Sequence, residues 1–420
     1  MAAVLLLAAR PAKLDESRVD ASTLRGKFLL GYQGWFGCPG DGSPVDRWFH
    51  WSRNNRAPDR ETVSIDFWPD TAELDADELC ATGLNFPDGS NAGVYSAWRS
   101  KTVARHFRWM RENAIDGVML QRFTSELRDS RFFQFRNQVA RNVRAAAEDE
   151  GRVFAIMYDI SGQNASTLVA DLENDWRYLV DTLHVTESPA YLRHHGDAVV
   201  AIWGFGFTDR PGTAADATAV IDFFRKNPEP RYRAVLMGGV PTYWRTLTRD
   251  SKTDASWSAV YRSFDVVSPW SVGRFSDADG ADRFARDLVV PDLEETRAAG
   301  IEYMPVVFPG FSRHNLSGGA LNQIPRRGGA FLWRQVYNAV SAGARMLYGA
   351  MFDEVDEGTA LFKVVARARD LPVGSELLAL DADGVELPSD WYLRLVGRAT
   401  RMLRGEMRLV PDMPKLRDVR

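Results

Sequence analysis

The sequence predicts an α/β protein of the (β/α)8 TIM-barrel kind, with a long loop insertion after strand 1. Eight short apolar or β-branched runs recur along the 420 residues, and amphipathic stretches of helical period separate most of them. Uniformly apolar strands alternating with helices indicate a parallel sheet covered on both faces. Eight such units in a chain of this size fit a closed barrel. The alternative is an open doubly wound sheet, but no G-x-G-x-x-G follows the first run and no P-loop occurs anywhere.

In chain order the expected strands are Lys27–Tyr32, Gly117–Arg122, Val153–Asp159, Ala198–Trp203, Ala234–Gly238, Val266–Trp270, Tyr303–Phe308 and Ala344–Phe352. Apolar residues at helical spacing predict helices over Ser96–Asn113, Phe132–Glu150, Ser166–Leu183, Ala214–Lys226 and Ala281–Ala299. Residues 33–95, rich in Gly, Pro, Trp and Asp, break the repeat and are expected to lie over the C-terminal rim. The barrel is thus assigned to 26–370, after an N-terminal extension of 1–25. The remainder, 371–420, reads as a helical tail whose Trp391–Arg404 portion would pack on the barrel.

Composition narrows the function classes. A formal charge of −4 with no basic block gives no general attraction to nucleic acid or anionic membrane. No run approaches the length of a membrane span. Residues 2–9 resemble the end of a signal-peptide core without its basic flank, a slight tilt toward the periplasm or secretion over the cytoplasm. Cys38 and Cys80 are the only cysteines, so a disulfide scaffold and a Cys-x-x-Cys zinc site are excluded; two free thiols is the plainer reading, and pairing stays open. His194-His195 is the sole histidine cluster, and no metal or cofactor motif appears. The oligomeric state is left open.

In a barrel, chemistry sits at the C-terminal ends of the strands. The residues expected there are Tyr32, Trp35, His50 and Trp51 from the first strand and its insertion, Tyr158 and Asp159 after the third, and Trp203 after the fourth. Trp270 follows the sixth, and Phe311 and Arg313 follow the seventh. Rings for apolar sugar faces, with charged groups for hydroxyls, describe a carbohydrate site. A tryptophan at a strand end can equally be a core plug.

The last strand ends in Asp353, Glu354, Asp356 and Glu357, with no Lys or Arg between Arg345 and Lys363. Carboxyls that repel one another can split their pKa values into an acid and a base. The plainer reading is an acidic cap on a helix over Gly358–Val365. A third is a set of oxygen ligands for a divalent cation, and a fourth a barrel that binds glycans without cleaving them.

Taken together these segments resemble glycoside hydrolase families 71 and 99, including a xylosidase/arabinosidase-like bacterial and fungal group. Family 99 endo-α-mannosidases carry Phe-Asn-Glu-Trp-His-Glu-Gly at the end of the last strand, similar to Phe352-Asp353-Glu354-Val355-Asp356-Glu357-Gly358. Pro309-Gly310-Phe311 resembles the family's Pro-Gly-Tyr, and Trp35-Phe36-Gly37 through His50-Trp51 its aromatic opening. Arg326-Arg327 stands where the family tends to place an arginine, so Arg327 joins the expected substrate-binding set with Asp353 and Asp356. The chain departs at Val355-Asp356 and Asp353, and has Phe36 and Phe311 where the mannosidases favour Tyr.

The resemblance implies a retaining glycosidase for an α-linked poly- or oligosaccharide that needs no cofactor. Glu354 would be the base that removes the sugar's 2-hydroxyl proton, and Glu357 the general acid/base.

Overall fold

The computed structural model describes residues 18–415. Its strands are β1 (Phe28–Tyr32), β2 (Gly117–Phe123), β3 (Val153–Asp159), β4 (Asp197–Trp203), β5 (Ala234–Val240) and β6 (Val266–Pro269). β7 comes in two pieces, Glu302–Tyr303 and Val306–Val307, and β8 is Leu347–Gly349. β1 to β6 pair in sequence, all parallel, and β8 returns to pair with β1.

The ring closes through β7, whose first piece pairs with β6 and whose second pairs with β8. Pro305 separates the pieces because it has no N–H to give to a ladder. Its carbonyl still accepts from Tyr348 N at 3.1 Å. The expected run Tyr303–Phe308 is therefore one strand serving two neighbours in turn. The expected strand Ala344–Phe352 is shorter in fact, because its last residues turn across the rim.

Alternation along each strand sorts side chains between lumen and shell. On β2, Gln121 donates to the Tyr348 hydroxyl inside the barrel (3.1 Å), while Arg122 points outward to Asp175. The lumen is filled tightly: a Cβ on Gly31 would lie 2.2 Å from the Tyr348 hydroxyl and the Met351 methyl, so only glycine fits. Cross-strand register then sets Phe123, Asp159, Trp203, Gly239 and Ser268 in one layer at the C-terminal rim.

The shell helices are α1 (Ser100–Glu112), α2 (Ser130–Glu150), α3 (Leu168–Asp181), α4 (Ala214–Lys226), α5 (Ser256–Tyr261), α6 (Ala278–Phe284), α7 (Val290–Ala299), the single turn α8 (His314–Ser317), α9 (Ala330–Ala342) and α10 (Trp391–Leu403). The helix expected over Ala281–Ala299 is continuous but widens to a π segment at Ala285–Val289. Pro291 explains the widening, since its ring would collide with the carbonyl of Asp287 in a regular helix. α10 takes the place of the eighth helix: it packs on α9 and β1, and a Cβ on Gly397 would meet Asn113 O at the end of α1.

The insertion is a cap on the rim. It holds a short antiparallel pair, Leu79–Cys80 with Val94–Tyr95, and Cys38 and Cys80 are joined by a disulfide. That corrects the reading of two free thiols; their Cα atoms are brought to 6.4 Å by the fold of the cap. Asp66 straps the cap down, accepting from His314 N (2.7 Å), Asn315 N (2.8 Å) and the Ser312 hydroxyl. The signal-like run 2–9 lies outside the described residues.

The disulfide spans a sequence separation of 42 residues, for which chain entropy sets a limit of about 4 kcal/mol. Reduction, or Cys80→Ser, should lower the melting temperature by roughly 5 °C or less. A calorimetric scan with and without reductant checks this, and an unchanged trace would mean the cap gains nothing from the link.

Candidate functional site

Beyond β8 the chain forms a turn over residues 355–358, and no helix follows within 359–367. The helix-cap reading of the acids is thereby overturned. The turn is tight: Gly358 has φ +65°, and a Cβ there would lie 2.8 Å from Ser312 N and 2.9 Å from Ser312 O. Any side chain would push the β7 and β8 loops apart. Val355 O accepts from Asp66 N (3.0 Å) and Phe67 N (3.3 Å), which pins the turn beneath the cap.

Each acid is held differently. Asp353 closes the top of the β1–β8 seam, accepting from Gln33 N (2.7 Å) and Gly34 N (2.9 Å). Burial raises it to about 7 despite those donors. Glu354 accepts from Gln33 Nε2 (2.6 Å) and the Thr359 hydroxyl (2.5 Å). Burial, with the charges of Glu357 and Asp356, pushes it well above the usual carboxylate range.

Asp356 is wholly buried, and its Oδ2 lies 2.9 Å from His50 Nδ1. Burial, with Asp66 nearby, lifts Asp356 to about 8, and burial lowers His50 to about 3. A carboxylic acid donating to a neutral imidazole is the consistent assignment. Glu357 is half-buried and raised to about 7 by burial and by Asp356, while Arg313 and Arg210 pull it back.

The predicted rim residues divide into two groups. Trp35 stacks face to face on His50 (centroids 3.7 Å) and lies 5.4 Å from Phe123. Trp203 packs with Trp270 at 5.4 Å and carries Arg210 over its face at 5.0 Å. The indole N–H groups of Trp35 and Trp203 are buried without a partner. Asp159, in the same layer as Trp203, is pushed up to about 6 by burial. Arg313 lies over Phe311 at 5.8 Å on the β7 loop.

Four expected residues stand elsewhere. Tyr32 points into the shell, its hydroxyl 2.9 Å from His106 Nδ1 of α1. Tyr158 does likewise, donating to Asp175 of α3 at 2.8 Å. Both follow from register, since each is one residue out of phase with the lumen. Trp51 is core of the cap, packed on Phe36 and Tyr95 and donating to Tyr95 O at 2.8 Å. Arg327 is exposed, whereas its neighbour Arg326 is buried and donates to Gly358 O (2.9 Å) and Ala360 O (2.7 Å).

Sequence reasoning missed Thr359, Asp66 and Arg210; Gln33 and Phe123 were readable at strand ends but not assigned to the site. A polar residue one step beyond a strand end was the available signal for Gln33. Asp66, far along an irregular insertion, carried none.

The cation reading of the acidic turn finds no support in this geometry, because three of its four carboxyls turn to separate protein partners. Among the described residues, groups close enough to share an ion occur at His194, His195 and Glu302, and at Asp75, Asp77 and Glu78. In the first, Leu24 N–H donates to His194 Nδ1 (3.3 Å), so the ring proton sits on Nε2 toward Glu302, which Arg25 also binds. The second is neutralised by Lys101 and Arg105.

Two structures of the family 99 endo-α-mannosidase from Bacteroides thetaiotaomicron, one in complex with bis-tris-propane, superpose with a TM-score of 0.65, covering 91% of this chain and 99% of theirs. What is shared is the fold. Sequence identity is only 14% and 15%. A glycoside hydrolase-like protein superposes with a TM-score of 0.52 at 14% identity, over 86% of this chain and 99% of its own. No protein-family model and no curated protein matches the sequence.

Replacing Asp353 by Leu would strand the two buried N–H groups of Gln33 and Gly34. The expected loss is about 2–5 kcal/mol, read as a lower urea midpoint. Arg327→Ala, at an exposed side chain, should leave that midpoint in place. Equal effects from the two would remove the seam role given to Asp353.

Proposed function

We propose that the protein is a glycoside hydrolase that cleaves an α-linked poly- or oligosaccharide with retention of configuration. The observation that carries the reading is the placing of Glu354 and Glu357 at the start of and within the rim turn, both raised by burial and by neighbouring carboxylates but furnished differently. Gln33 and Thr359 donate to Glu354, oppose its upward shift and fix its orientation, as the base role requires. Glu357 has cations rather than donors about it, and its proton is available to a leaving group.

In the first step the Glu354 carboxylate takes the proton of the sugar's 2-hydroxyl. The freed oxygen attacks the anomeric carbon, the glycosidic bond breaks, and the leaving oxygen takes the proton of Glu357. In the second step the Glu357 carboxylate takes a proton from water, which opens the 1,2-anhydro sugar, and Glu354 returns its proton to the 2-oxygen. Two inversions give retention. The fold shared with an endo-α-mannosidase supports this reading, as do the unpartnered indole N–H groups of Trp35 and Trp203, the Trp35–His50 stack and the edge-on Trp203–Trp270 pair at the rim.

Glu354→Gln and Glu357→Gln should each lower kcat/KM on glycans by at least about a thousandfold. An aryl or fluoride glycoside, which departs with little protonation, should restore the first step in Glu357→Gln only. If all the acidic variants, including Asp356→Asn, keep full turnover, the barrel is not a hydrolase of this kind.

A second test uses pH. Glu357 must be protonated to act as an acid, so kcat/KM should fall as pH rises through about 7. Arg313 lowers the Glu357 pKa, so Arg313→Gln should move that alkaline limb to higher pH. A limb that stays put, or moves down, contradicts the assignment of Glu357.

A further inference from the structure

On the same C-terminal face, the loops after β5 and β6, α6 and the π segment that follows it line a cleft of about 500 Å3. Three arginines line it, Arg249, Arg274 and Arg283, against two acids, Asp277 and Asp287. Most of these charges are committed. Arg274 donates to Asp250 (2.6 Å) and to the Thr242 hydroxyl (3.0 Å). Asp277 accepts from Gly280 N at 2.7 Å, and Asp287 is bonded by Arg286 at 2.8 Å. Arg249 and Arg283 remain; among the described residues neither has a carboxylate partner.

Arg249 is also held in place. Its guanidinium lies 4.5 Å above the Tyr243 ring, and Nη1 donates to the Tyr243 hydroxyl at 2.5 Å. One edge of the fork stays open. A fixed guanidinium with a free edge matches a planar carboxylate or a tetrahedral oxyanion, because paired N–H donors meet paired oxygens. Tyr243 and Phe275 add ring surface to the same walls.

A relay of side-chain contacts links the wall of this cleft to the acids. Arg210 acts on Glu357 and lies over Trp203, which packs on Trp270. The Thr242 hydroxyl then donates to Trp270 O at 2.6 Å and accepts from Arg274.

We propose that this cleft is a subsite for an anionic sugar unit, a uronate or a sulfate or phosphate ester, belonging to the glycan whose scissile bond lies at Glu357. The inference rests on the glycosidase reading and deepens it: the substrate is an acidic glycan. Arg249 and Arg283 supply the recognition.

The test is calorimetric titration of the wild-type protein, and of the Glu357→Gln protein where turnover intervenes. The probes are tetragalacturonide with its methyl ester, a sulfated oligosaccharide with its desulfated form, and sodium sulfate alone. At low salt one acidic probe should bind at least about tenfold more tightly than its neutral partner. The Arg249→Gln/Arg283→Gln protein, verified by an unchanged melting curve, should lose that gap and part of its salt dependence. Which probe shows the gap tells carboxylate from sulfate.

Equal binding of acidic and neutral forms, a gap that survives the double substitution, or sulfate alone binding as tightly as any oligosaccharide would each overturn the proposal. Because these are binding measurements, the two readings fail separately. Acidic-glycan binding with no hydrolysis would keep the cleft and remove the hydrolase. Hydrolysis indifferent to charge would do the reverse.

Discussion

Four carboxyls within five residues, three of them buried and the fourth half-buried, with no lysine or arginine in their own turn, cannot hold together unaided. The rim of the barrel is built to meet that constraint. Asp353 is bridged to the N–H groups at the end of β1, Glu354 is gripped by Gln33 and Thr359, and Asp356 leans on His50. Nearly all of these partners come from the first strand or the insertion that follows it. The cap is in turn anchored by Asp66 to the loops that flank the acids. Burial that would expel lone charges instead raises their proton affinity, which is the property an acid/base pair requires.

The fold was legible because apolar strands and amphipathic helices leave periodic traces. Val153–Asp159 and Ala214–Lys226 were both readable to the residue. Register was less so. Tyr32 and Tyr158 stand at the right height on the barrel but face its shell, a difference of one residue that an all-apolar strand does not announce. The acidic turn was legible as a cluster of carboxyls, a composition that a helix cap would share; only the absence of a helix over 359–367 removes that reading. Its supports were not. Asp66, Thr359 and Gln33 are ordinary residues made important by contacts across the chain, and Arg326 differs from Arg327 only in which one the turn buries.

Two aromatic groups stand at the rim, and they are unlike. One is a neutral stack, Trp35 on His50, continuous with the cap. The other, Trp203 with Trp270, carries a cation and leads toward further arginines. The two differ in what lies on the indole face: a neutral imidazole in the first and a guanidinium in the second, although Arg136 lies over Phe123 beside the first as well. That asymmetry gives the site a direction, which a symmetrical ring of stacking residues would lack.

The β1–β8 seam has a consequence for the timing of assembly. Its register pairs Phe28 with Leu347, and the helix that backs it, α10, begins only at Trp391. Contacts so remote in sequence form late, because the intervening chain must be ordered before they can be rewarded. A nascent chain still on the ribosome has β1, the cap and most of the shell, but not the acids that Gln33 and Gly34 are there to receive. The β1–β8 seam, with the groups it brings together, is thus completed only when the ring closes.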